Sequence, residues 1–157
     1  MVASVIPALI DAIVELSRAN GLGGDAEVFD GYGVSLTKET VLHVGVDDPR
    51  LVAEAVSARS EQTDETPCIR REAGDVGCAV LAWDGGADQK SARDRAFAVA
   101  EFVQHLCRSD ALVGAVPDLA VTRFTSLVFT QDQDENGAVA LVAFRVAFEA
   151  HLDDPQP

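Results

Sequence analysis

The spacing Asp132-x-Asp134-x-Asn136-Gly137 supplies the opening of a calcium-binding loop, with oxygen donors on alternate residues and a glycine at the sharp turn. Such a loop needs a bidentate glutamate at its twelfth position, which here is Ala143, and it leads into a helix, whereas this chain continues with strand-like alternation. The segment reads instead as a solvated acidic turn. His43, His105 and His151 are the candidate bases or metal ligands, and Cys68, Cys78 and Cys107 the candidate thiolates. On a helix, His105 and Cys107 would point about 200° apart at ~100° per residue, poor geometry for one metal. Cys68 and Cys78 lack the C-x-x-C spacing of a zinc site. His43 lies in a β-branched run and reads as a sheet residue. Gly21-Leu-Gly23-Gly24 follows a helix rather than opening one, so it presents no helix N-terminal amides to a phosphate. No G-x-S-x-G elbow marks a nucleophilic serine. The paired acids Asp47-Asp48 and Asp153-Asp154 fall in a turn and a tail. Nothing positive supports an enzyme, and no cofactor or metal is expected.

A different kind of residue stands out at Phe97. In a helix it shares a sector with Arg93, Glu101, Gln104 and Arg108, away from the apolar stripe of Ala92, Ala96, Val99, Val103 and Leu106. Two readings apply: partial burial against a neighbouring loop, or an anchor between subunits, where aromatics beside arginine are enriched.

The totals narrow the class. A chain of 157 residues is long enough for one domain with its own core. A hydrophobic content of 48% with 24% charged residues is that of a globular protein. The net charge of −14 argues against stable binding to nucleic acid, where lysine and arginine must displace counterions from phosphates. Three cysteines without close pairing read as reduced thiols. No stretch approaches the roughly 18–20 apolar residues of a membrane span, and no basic region precedes the first apolar run as in a signal peptide. The protein is expected to be cytosolic where it is made.

The elements that position these residues can be read in order. A helix is expected from about Val5 to Asn20, capped by Ser4 and stopped at Asn20-Gly21. Strands follow at Ala26 to Asp30 and Thr40 to Val46, the latter closed by Asp47-Asp48-Pro49. Residues 51–66 are poorly patterned and read as an extended arm, with a polar loop from Ser60 to Thr66. Asp75 to Trp83 is apolar on both faces, the pattern of an inner strand covered on two sides. A second helix runs from about Ser91 to Ser109. Two long strands then flank the turn Gln131 to Gly137, whose Asn136-Gly137 is a strong hairpin signal because both residues tolerate positive φ. In the last strand Val142, Phe144, Val146, Phe148, Ala150 and Leu152 alternate with Arg145, Glu149 and His151. The expected fold is α+β: one domain over 1–152, mainly antiparallel, with two main helices on one face, a long C-terminal β-hairpin, and a frayed acidic tail at 153–157.

These pieces, taken in order, resemble a family. The carrying phrases are Val28-Phe-Asp-Gly31, Leu42-His-Val-Gly-Val-Asp-Asp-Pro49, Cys78-Ala-Val-Leu-Ala-Trp-Asp-Gly85, Ala92-Arg-Asp-Arg-Ala96, Leu112-Val-Gly114, Asn136-Gly-Ala and Val142-Ala-Phe-Arg-Val146. They look like the tail terminator, or tail completion, proteins of long-tailed double-stranded DNA bacteriophages. The resemblance implies a hexameric ring at the head-proximal end of the virion tail. Its partners would be the tail tube protein and a head-completion or connector protein, and DNA would pass through without specific binding. It implies no catalysis and no membrane. Under it, Arg93, Phe97, Glu101, Arg108 and Arg145 are the expected subunit contacts, and Asp132, Asp134 and Glu135 an acidic tip expected to face the channel. A head-completion or neck protein of the same virion remains an alternative, as does a small-ligand-binding α+β domain.

Overall fold

Asp88 opens the longer of the main helices, its side chain accepting from the Ser91 amide at 3.1 Å. The computed structural model describes residues 3–22, 25–33, 37–46, 55–62 and 69–153. In chain order these form α1 (Ile6–Ser17), a π-helical turn (Arg18–Leu22), β1 (Glu27–Asp30), β2 (Thr40–Val44), β3 (Val56–Gln62) and β4 (Ile69–Asp84). There follow α2 (Gln89–Arg108), the short α3 (Ala111–Ala115), β5 (Leu119–Asp134) and β6 (Gly137–Asp153). The fold is α+β, with six strands in one mostly antiparallel sheet and a C-terminal β5–β6 hairpin, as the sequence pattern predicts.

The strand order is β1-β2-β4-β6-β5, and only β1 and β2 run parallel. β4 and β6 pair from Ile69↔Asp153 to Asp84↔Ala138 and form the spine of the sheet. The other edge of β4 is shared: its second half pairs with β2 and its first half with β3. The handover occurs at Gly77. Its carbonyl accepts from Gly45 and Val46, and its amide donates to Ala55 at 2.7 Å. A Cβ there would lie 2.3 Å from the Val46 carbonyl oxygen, so three backbones meet where only glycine fits.

Small residues let α2 lie close on the sheet. Ala92, Ala96, Val99, Ala100, Val103 and Leu106 pack with Val76, Cys78, Val80 and Ala82 of β4 and the even-numbered residues of β6 from Ala138 to Leu152. Phe124 stacks on Phe144 with ring centroids 4.5 Å apart. α1 adds Leu9, Ile13 and Val14 to the same core. Its N-terminus is held from the sheet. Glu72, only 3% exposed, accepts from the Ser4 hydroxyl at 2.5 Å and from the Val5 amide at 2.9 Å.

Several expectations need correction. Ser4 does not act alone as the cap: its hydroxyl oxygen accepts from the Ile6 amide at 3.1 Å while Glu72 takes the Val5 amide. Asn20-Gly21 does not stop the first helix, which widens into the π-helical turn. There Arg18 donates to the Val28 carbonyl and Asn20 to the Leu16 carbonyl. Ser60 to Gln62 belong to β3 rather than a loop, because each pairs with β4. Residues 51–54 and 63–66 of the expected arm lie outside the described residues, as do Asp47-Asp48-Pro49 and 154–157, while Asp153 ends β6 rather than starting a tail. The inner strand is longer than Asp75 to Trp83, and on its second face Leu81 and Trp83 are only half-buried. At the hairpin turn Gly137 has positive φ, at 146°, but Asn136 does not. Gly137 is required by proximity too, since a Cβ would lie 2.6 Å from the Asp84 carbonyl oxygen.

Candidate functional site

Among the described residues, the face of the sheet away from the helices, the β5 edge and the hairpin tip are the surfaces that no other element covers. On the open face the side chains of β4 and β6 make two unlike regions. Near the tip lie Leu81, Trp83 and Leu141, half-buried, and Val139, 40% exposed. Toward the far end the same face turns ionic. Glu149 accepts from Arg71 at 2.7 Å and from Arg123 at 3.3 Å. The paired guanidiniums, Arg71 first, hold the Glu149 carboxyl below the usual carboxylate range. Arg59 pairs with Glu61 at 2.6 Å. Arg145, mostly buried, donates to Asp75 at 2.5 Å across the strand pair.

Among the described residues β5 forms one edge of the sheet, and the strand it pairs with is β6. Its ladder is interrupted: Thr125 faces Arg145 but Val128 faces Ala143, so Ser126 and Leu127 together oppose Phe144. Ser126 takes a φ of 56° and Leu127 is 45% exposed, the signs of a β-bulge.

Gln131 to Asn136 of the tip are all exposed. It does not stand clear of the sheet, because β4 pairs with β6 up to Ala138 and the Gln133 side chain donates to the Ala87 carbonyl at 2.6 Å. Asp132 accepts from the Gln133 amide and Asp134 from the Asn136 amide, so both carboxylates brace the turn's own backbone.

The residues singled out from sequence fall in three places. Arg93, Phe97, Glu101 and Arg108 share one sector of α2. Phe97 packs on Phe129 of β5, with centroids 5.1 Å apart, so its half-burial comes from a strand rather than from a loop. Arg145 lies on the opposite side of the sheet and does not join them. Asp132, Asp134 and Glu135 sit together at the tip. Sequence alone does not reveal the arginine–glutamate group around Glu149 as a unit, because Arg71, Arg123 and Glu149 meet only through the register of three strands; the alternation of Arg145, Glu149 and His151 is its one signal.

The candidate chemical groups are dispersed. Burial pushes the Cys78 thiol up to about 12 and the Cys107 thiol up to about 11. His43 is buried on the open face, its Nδ1 3.2 Å from the Gly31 carbonyl oxygen and 3.4 Å from the Gly33 amide, with Phe29 and Tyr32 beside the ring. His105 and His151 are exposed, and Cys68 lies outside the described residues. Among the described residues no three His, Cys, Asp or Glu side chains converge as metal ligands, and no helix is long and apolar enough to cross a membrane.

No protein-family profile matches the chain, and no curated protein matches it in sequence. A solved structure does. A chain of the virion of a native gene transfer agent particle superposes with a TM-score of 0.54, covering 95% of this chain and 100% of that one at 15% identity. The two share a fold.

Proposed function

We propose that this chain is a structural protein of a phage-like virion, and within it a tail terminator. The observation that supports this best is the likeness to a gene transfer agent virion chain over 95% of this chain and 100% of that one. The finer role rests on the family phrases in the sequence. In this reading the protein forms a hexameric ring at the head-proximal end of the tail, after synthesis in the host cytoplasm. The ring covers the last layer of tail tube protein and presents a surface that further tube subunits do not recognise, while its other side meets a head-completion or connector protein. It is not an enzyme and takes no cofactor. Its work is geometric, as a closed ring of head-to-tail contacts allows. The net charge of −14 suits a channel wall past which DNA slides without adhering.

The test is to mix the purified chain with its cognate tail tube protein and image the products. Six-fold rings at tube ends, with tube growth stopped, are expected. Rings that bind only the connector and leave tubes growing would instead identify a neck protein, and three-fold or five-fold rings would overturn the hexamer.

A further inference from the structure

The ionic end of the open sheet face departs from the rest of the molecule. In a chain of net charge −14, Arg59, Arg71, Arg123 and Arg145 gather there against Glu61, Asp75 and Glu149. The side chains of Arg59, Arg71 and Arg123 are 85%, 56% and 62% exposed, and each meets its carboxylate through one nitrogen. A guanidinium carries five N–H donors in a fork that matches carboxylates. Most of that capacity faces solvent. Ala73, small and central, leaves a hollow of about 230 Å³ between these side chains.

The opposite end of the same sheet carries the complementary charge in a preformed shape. Asp132, Asp134 and Glu135 are exposed on a turn braced by its own carboxylates and by Gln133 on Ala87. This tip does not reach the arginines of its own chain. At about 3.4 Å per residue, β6 from Val139 to Glu149 spans roughly 34 Å. That is several times the ~8 Å screening length of physiological salt.

We propose that the arginine end of the open face is a socket for the acidic hairpin tip of a second copy of this chain, so that copies join head to tail. A contact between two different patches of identical subunits is the kind that closes into a ring when its rotation permits. The inference deepens the ring-forming reading and rests on it. It assigns the tip to the subunit contact and leaves the channel wall to other acids.

Two charge-reversed chains test it. One carries Asp132→Lys, Asp134→Lys and Glu135→Lys; the other carries Arg71→Glu and Arg123→Glu. Thermal melting reports that each is folded, and native mass spectrometry, alone and on tail tubes, reports assembly beside the wild type. Each variant alone is expected to assemble roughly tenfold more weakly or worse. An equimolar mixture should regain assembly, because lysine tips meet glutamate sockets and native tips meet native sockets in an alternating ring. A reversed variant that assembles like the wild type overturns the socket, and so does a mixture of folded variants that stays monomeric. Should a reversal prevent folding, Arg71→Gln with Arg123→Gln and Asp132→Asn with Asp134→Asn take its place; undiminished assembly in both then overturns the proposal. A wild-type chain that forms no ring, alone or on tubes, removes the ring reading and the socket together, whereas wild-type rings with unaffected variants remove the socket alone.

Discussion

His43 is held neutral by its surroundings: burial lowers its pKa, and the Gly31 carbonyl only partly opposes that. The unfolded chain, with an ordinary value near 6.5, therefore binds more protons than the folded one just below that pH. This contribution to stability is complete above about pH 6.5 and is lost as pH falls through the lower folded value. Urea midpoints should drop from pH 7.5 to pH 5, and His43→Gln should flatten the part of that drop nearest pH 6.5. The cysteines make a second residue-scale expectation. With thiols raised to about 12 and about 11, Cys78 and Cys107 have almost no thiolate at pH 8. Peptide mapping after brief iodoacetamide treatment should find both unmodified in the native protein and both modified in urea.

Among the elements, α1 depends on a residue from another part of the chain. Glu72 offers both oxygens to the start of the helix, and its negative charge lies at the positive end of the helix dipole. Glu72→Ala leaves the Val5 amide buried without a partner and should cost about 2 kcal/mol, the size of a hydrogen bond to a charged group. Equilibrium urea unfolding measures this, and Glu72→Gln should recover part of it. That contact also shows where the sequence was legible and where it was not. α1, α2 and β6 announce themselves, because each buries one stripe and exposes the other, so Ala92 to Leu106 and Val142 to Leu152 carry the period of their own structure. β3 does not, since Ser57, Arg59, Ser60 and Glu61 have the composition of a loop and become a strand only through their ladder with β4. The start of β4 is hidden for the same reason: Arg71 and Glu72 look like surface residues, yet one joins the ionic face and the other caps a helix. Phe97 was recognisable as an odd residue, but its partner Phe129 lies in a strand that helical periodicity does not reach. The acidic tip was legible as a turn, and the arginine group opposite it was not, because convergence of four strands is a property of the register alone.

At the scale of the whole molecule, charge dominates. A protein of net charge −14 in which Arg71, Arg123 and Arg145 each sit beside a carboxylate of the same chain should show no retention of duplex DNA in a gel-shift assay even near 50 mM salt, where phosphate contacts are strongest. Retention that fades with added salt would reveal a basic surface formed on assembly. The bulge at Ser126 and Leu127 has a consequence of another kind. An edge strand of sixteen residues is a template on which a like strand from any neighbour can zip, and the product of that growth is a fibre. The bulge divides this edge into two shorter runs with a kink between them, so no long straight segment is on offer. Deleting Ser126 would restore one-to-one pairing opposite Phe144 and make the ladder continuous from Val121 to Asp134. The deletion variant is expected to give thioflavin-positive fibrils at concentrations where the parent chain stays clear. The extra residue of this bulge thus protects the chain against joining a fibre through its own edge.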